Sequence, residues 1–212
     1  MSNSHKETEV TIYARITDFE GLKKASSFED QEQYEIKSKD YNGSDIGRAR
    51  VRRTKTKDKE YFTLTIKKKF KSKNVQTMDE TEQVIDEATF KAFKRICPDG
   101  MLKRRFIFSP DKISIGGKNS SEIDKDTIKY EVDVFYKEDG SFYEWCKIDI
   151  ELDSLQKIIT QEHDGSHIKL KLTIENLAFK PVDYYTASSA SEEQIAHMSN
   201  LYKYVFRFKN DI

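Results

Sequence analysis

Cysteine is scarce here: Cys97 and Cys146 are the two in 212 residues. They form no Cys-x-x-Cys spacing, which argues against a zinc site. They read as two reduced, partly buried thiols, with a disulfide between them as the alternative. His5, His163, His167 and His197 share no spacing and read as surface or structural residues. Net charge is missing too, because 37 Lys and Arg balance 37 Asp and Glu. Any attraction to a polyanion must then come from local patterning. No apolar run approaches the length of a membrane span. The opening Met1–Lys6 lacks the apolar core of a secretion signal. The expectation is a cytoplasmic protein with no membrane partner. Repeats, low-complexity tracts and domain-splitting linkers are absent, so one domain over 1–212 is expected.

What is present is charge and alternation. Charged residues make up 35%, apolar ones 36% and aromatics 12% of the chain, a globular composition. Most segments alternate with a period of two, the mark of a strand with two unlike faces. Strands are expected at Glu7–Ile16, Gly47–Thr54, Tyr61–Phe70, Met101–Phe108, Lys129–Phe135, Lys147–Leu152 and His167–Glu175, with shorter ones near Ile113–Ile115 and, as an edge, Gln31–Lys39. Asp18–Asp30 reads as a short helix or loop. Met78–Cys97 reads as the clearest helix, capped by Thr77 and stopped by Pro98-Asp99-Gly100. Ser154–Glu162 and Glu192–Arg207 are further helices, and Asn176–Ala190 is loop-like. Many strands with few helices between them point to an antiparallel sheet, closed or strongly curved.

The polar faces of these strands carry the functional signal. Lys129, Glu131 and Asp133 share one face, and Lys147, Asp149 and Glu151 share another. Pairing the two strands would crowd four carboxylates, and like charges placed opposite repel. Arg48, Arg50 and Arg52, then Lys67 and Lys69, then Lys103 and Arg105, line the basic strands between. One explanation is an open sheet with a face in water. The other is a charged interior whose basic strands bind a polyanion and whose acidic strands bind a divalent cation. Mg²⁺ suits carboxylate and phosphate oxygens, and arginine suits phosphate. The Gly47–Lys59 run, with Tyr61 and Phe62 nearby, keeps an RNA-binding sheet open as a further reading. Gly116-Gly117-Lys118 lacks the full phosphate-loop pattern and reads as a loop.

From Glu7 to Leu172 the chain resembles the CYTH-type triphosphate tunnel metalloenzymes. Glu7-Thr8-Glu9-Val10-Thr11 is similar to the family's first-strand Glu-x-Glu-x-Lys, and Arg50-Val51-Arg52 to its Arg-x-Arg. Leu64-Thr65-Ile66-Lys67 resembles Leu-Thr-x-Lys, and Lys103-Arg104-Arg105 the basic strand after the long helix. Glu131–Phe135 and Asp149–Leu152 resemble the late acidic strands. The resemblance implies an α+β fold, an eight-stranded antiparallel closed barrel with helices outside. In this chain the barrel would span 7–175 with helix 78–97, followed by a C-terminal helix at 192–207. It implies a metal-dependent triphosphatase acting on an inorganic, nucleoside or RNA 5′-triphosphate, with Mg²⁺ or Mn²⁺. Glu7, Glu9, Lys67 and Arg105 would be catalytic. Arg50, Arg52, Lys67, Lys69, Lys103 and Arg105 would bind phosphate, and Glu7, Glu9, Asp133, Asp149 and Glu151 the metal. The chain departs from the pattern at Thr11, where the family has lysine; Arg15 shares that face two pleats on. Thr11 keeps open a second expectation, a weak or inactive tunnel module that binds nucleotide, polyphosphate or RNA.

Overall fold

The computed structural model describes residues 3–7, 9–39, 42–43, 45–70, 77–97, 100–108, 129–137, 139–151 and 183–186. The strands, in chain order, are β1 (Asn3–Glu7), β2 (Glu9–Arg15), β3 (Ser27–Lys39), β4 (Asp45–Lys55), β5 (Glu60–Phe70), β6 (Thr77–Ile85), β7 (Gly100–Phe108), β8 (Lys129–Tyr136), β9 (Phe142–Glu151) and β10 (Asp183–Thr186). A 3₁₀ turn spans Glu20–Lys24, and one helix, α1, spans Glu87–Ile96. The expected elements at 113–115, 154–162, 167–175 and 192–207 lie outside the described residues.

All the strands join one antiparallel sheet in the order β1-β6-β5-β4-β3-β7-β8-β9-β2-β10. The expected closed barrel of eight strands is corrected by this order. The sheet has ten strands, and among the described residues no ladder joins β1 to β10. Within the expected first strand, Glu7 belongs to β1, which pairs with β6, and Glu9–Arg15 forms β2, which pairs with β9. One N-terminal segment therefore borders strands from both halves of the sheet.

Residues directly opposite each other in a ladder share a face. On one face, Val51 of β4 stands between Tyr34 and Leu64, and Phe62 stands opposite Ile85. Helix α1 covers this patch, so that Tyr34, Val51, Phe90 and Cys97 form a buried cluster joined by Ile36, Phe62, Leu64, Ile85 and Phe93. The same face continues on β7, β8, β9 and β2 as Phe106, Val132, Val134, Cys146, Ile148 and Ala14, all buried.

Three further expectations are corrected. Met78–Cys97 is not one helix, because its first half is strand β6 and the helix begins after Asp86, whose carboxylate accepts from the Thr89 N–H at 2.7 Å. The Gln31–Lys39 edge strand is longer, and it is central, lying between β4 and β7. The loop-like 176–190 segment contains β10, which pairs with β2.

Candidate anion-binding site

The other face of the sheet is polar, and it is buried. Following the ladders, Gln31 and Gln33 of β3 share it with Arg48, Arg50 and Arg52 of β4 and with Thr63, Thr65 and Lys67 of β5. Glu80 and Glu82 of β6, Lys103 and Arg105 of β7, Glu131 and Asp133 of β8, and Lys147 and Asp149 of β9 complete it. Lys67, Glu80 and Lys103 are each 5% exposed, Asp149 is 3% exposed and Asp133 is 1% exposed. A strand face in open water does not bury its charges in this way. At one end the face turns apolar, where Tyr13 and Phe135 pack with Met101, Tyr143 and Trp145.

The ionic contacts follow the registers. Lys67 Nζ lies 2.5 Å from Glu80, and Arg50 Nη2 reaches the same carboxylate at 3.5 Å. Thr65 donates to Glu82 at 3.0 Å. Asp133 accepts from Lys103 Nζ at 2.5 Å and from Arg105 Nε and Nη2 at 2.7 and 2.9 Å, while Arg105 also meets Glu131. Burial alone would raise the Asp133 carboxyl, but Arg105 and Lys103 outweigh it and hold it far below the usual carboxylate range. Burial and the nearby Arg105 and Arg52 pull Lys103 down to about 7, against the opposing effect of Asp133.

Positive charge is in local excess around Arg52. Burial, then Arg50 and Arg105, lower its guanidinium to about 9. Arg50 is lowered by the same causes, burial first and then Arg48 and Arg105. The Nε groups of both Arg50 and Arg52 are buried without an acceptor among the described residues. Buried donors of this kind carry a desolvation cost until an acceptor arrives. The set Arg50, Arg52, Lys103 and Arg105 thus offers converging, partly unsatisfied donors to an anion. Arginine forks match the geometry of phosphate oxygens.

Each expected phosphate residue with a described side chain, Arg50, Arg52, Lys67, Lys103 and Arg105, faces this site. Lys69 sits on β5 opposite Met78, with its side chain outside the described residues. Asp133, expected as a metal ligand, has both carboxylate oxygens engaged by Lys103 and Arg105. Asp149 accepts from Lys147 at 2.5 Å. Register places Glu9 opposite Glu151 and Thr11 opposite Asp149, with Glu131 on the far side of Asp149. Glu7 falls opposite Met78 on β6. No group of three or more metal-binding side chains meets among the described residues. Arg15, the alternative basic residue of the first strand, stands opposite Trp145 and reaches Glu144 at 3.7 Å.

Sequence reasoning missed Glu80, Glu82, Gln31 and Gln33 because it placed the first two on a helix and the others on an edge. The period-two spacing of Glu80 with Glu82 was the available signal. Glu131 was legible as one of four carboxylates crowded by the pairing of these two strands, and the ladder sets it opposite Asp149.

No family model and no curated protein matches the chain. Solved structures do match. HpAC1 from Hippeastrum, described as an adenylyl cyclase candidate with a dominant triphosphatase activity, is 12% identical, with a TM-score of 0.50 over 91% of this chain and 96% of that one. The PH1819 protein from Pyrococcus horikoshii OT3 is 15% identical, with a TM-score of 0.49 over 90% and 99% of the two chains. An adenylate cyclase candidate from Bacillus halodurans is 12% identical, with a TM-score of 0.41 over 74% and 90%. At these identities the likeness is one of fold. The fold is the CYTH type, to which the strand motifs also point.

Proposed function

We propose that this chain hydrolyses a triphosphate on the buried polar face of its sheet. The observation that carries the reading is the buried cation set Arg50, Arg52, Lys103 and Arg105, with two guanidinium Nε groups lacking acceptors. Exclusion of water from the bound phosphates is supported by the burial of Lys67, Glu80, Lys103, Asp133 and Asp149 on that face. The activity described for HpAC1, which shares the fold, supports the choice of reaction.

In this reading Arg50, Arg52 and Arg105 clamp the phosphate chain, and Lys67 and Lys103 add charge to it. Asp133 touches no phosphate; it holds Lys103 and Arg105 in position. By register Glu9 stands opposite Glu151 and Glu131 opposite Asp149, and these carboxylates would be the residues to hold Mg²⁺ or Mn²⁺. The bound cation would supply charge neutralisation and an acidified water. Hydrolysis forms a P–O bond to water and breaks the bridging P–O bond. The water proton passes to solvent, and the departing phosphate chain keeps the bonding pair. The arginine clamp stabilises the charge gathering on the oxygens.

The test is phosphate release from tripolyphosphate, ATP and triphosphorylated RNA with Mg²⁺ or Mn²⁺. Turnover on at least one is expected, with Arg52→Ala reducing kcat/KM by about tenfold or more. No turnover on any of the three removes the hydrolase reading. A second reading, a tunnel module that binds polyphosphate or nucleotide intact, draws on Thr11 and on the engagement of Asp133 and Asp149 by cations. Calorimetric binding without turnover would select it.

A further inference from the structure

By register, the polar face of β2, β8 and β9 carries the positions of Glu9, Glu131, Asp133, Asp149 and Glu151, and Lys147 interrupts them. Lys147 stands opposite Asp133 on one side and Tyr13 on the other, one pleat from Asp149. Asp133 carries Lys103 and Arg105, whereas Asp149 lies in register with Glu131 and Thr11. Lys147 therefore occupies the seam between the cation cluster and the carboxylate patch. Its side chain is 18% exposed, and its Nζ lies 2.5 Å from Asp149 Oδ2. The other cations at this face's positions on these strands do not reach the seam. Lys129 is exposed at the start of β8, and Arg15 turns to Glu144.

We propose that Lys147 contacts the terminal phosphate of the bound polyphosphate, supplying from β9 the positive charge that Thr11 does not supply from β2. This inference rests on the triphosphate reading above. Thr11 and Lys147 are diagonal neighbours, since Thr11 faces Asp149 and Tyr13 faces Lys147. Diagonal positions lie about 7–8 Å apart, within reach of a long side chain. An ammonium on a flexible four-carbon stem can exchange Asp149 for a phosphate oxygen by stem rotation alone. A phosphate placed against Arg52 and Arg105 would present its free end to this seam.

The experiment compares the wild type with Lys147→Met, Lys147→Arg and the double variant Thr11→Lys/Lys147→Met. Tripolyphosphate is titrated calorimetrically with chelator present, and phosphate release is followed separately with Mg²⁺. Thermal melts confirm that each variant is folded. Lys147→Met should weaken tripolyphosphate binding by about tenfold to a hundredfold. Lys147→Arg should stay within a few-fold of wild type, and Thr11→Lys should restore much of the loss. If Lys147→Met binds and turns over like wild type, the inference falls while the triphosphatase reading stands. If neither Lys147→Arg nor Thr11→Lys restores binding, Lys147 only props Asp149 and the inference is overturned. If Lys147→Met does not fold, Lys147→Gln and Lys147→Arg decide: weakened tripolyphosphate binding in the first with near wild-type binding in the second supports a phosphate contact, and wild-type binding in both overturns it. A wild type that neither binds nor hydrolyses tripolyphosphate overturns the inference, while the triphosphatase reading is then decided by ATP and triphosphorylated RNA.

Discussion

Asp133 shows how a single carboxylate organises this interior. It is 1% exposed and neutralises both Lys103 and Arg105. Asp133→Asn would leave Lys103 without the carboxylate it meets here and Arg105 with Glu131 alone, and breaking a buried pair of this kind costs about 3–5 kcal/mol. The urea midpoint should fall accordingly. The depressed carboxyl also fixes the sign of an acid effect. Its contribution is complete above the unfolded value of about 3.9 and is lost as pH falls through the much lower folded value. Wild type should therefore keep this increment at pH 4–5 and lose it only in stronger acid, while Asp133→Asn shows no such acid-dependent loss. Lys103 titrates in the opposite sense. Burial first, then Arg105 and Arg52, lower its ammonium to about 7 against Asp133, and a bound polyanion favours its charged form. Binding of tripolyphosphate at pH 8 should take up a proton, read as a dependence of the calorimetric heat on buffer ionisation enthalpy. Lys103→Arg should abolish that dependence. The basic members of this constellation were legible as a same-face pattern in the sequence. Their partners Glu80 and Glu82 were not, because their strand was read as helix.

At the scale of elements, the boundary between β6 and α1 explains that misreading. Val84, Ile85, Ala88, Phe93 and Ile96 have helical spacing, so the sequence extended the helix backwards. Thr77–Gln83 has polar residues on both of its faces and no apolar stripe to reveal a strand. Its conformation is set by β5, whose Lys67 and Thr65 meet Glu80 and Glu82. The alternating strands β4, β5, β7, β8 and β9 were read with shifts at their ends, because one face is apolar and the other charged. Two glycines mark where elements approach too closely for a side chain. A Cβ on Gly100 would lie 2.3 Å from the Tyr34 ring, and one on Gly47 would lie 2.5 Å from the Lys67 carbonyl oxygen. Overpacking costs about 1–3 kcal/mol, so Gly100→Ala should lower Tm by several degrees. Gly47→Ala should do at least as much, since the obstacle is backbone, and it should also weaken polyphosphate binding by displacing Lys67.

At the scale of the molecule, the N-terminal segment is the joint. Removing residues 1–7 would free the β6 edge, and an unpaired edge invites pairing with another chain. The truncated chain should melt lower and self-associate, measured by light scattering on a sizing column. A bound anion should oppose melting in the full chain. At a hundredfold excess over Kd the stabilisation is about 2.7 kcal/mol, and Tm should rise with tripolyphosphate concentration. The amino-acid sequence by itself determined which faces are charged and which strands are basic or acidic, because side-chain alternation is a local property of a strand. It determined the CYTH-type resemblance for the same reason. Only the tertiary structure decided that the charged face is buried, that β3 is central, that β1 and β2 take different partners, and that Asp133 serves the cations. Those facts depend on which strands become neighbours. That choice is made by contacts between residues far apart in the chain, such as Lys103 with Asp133 and Ala14 with Cys146, and no local period records it.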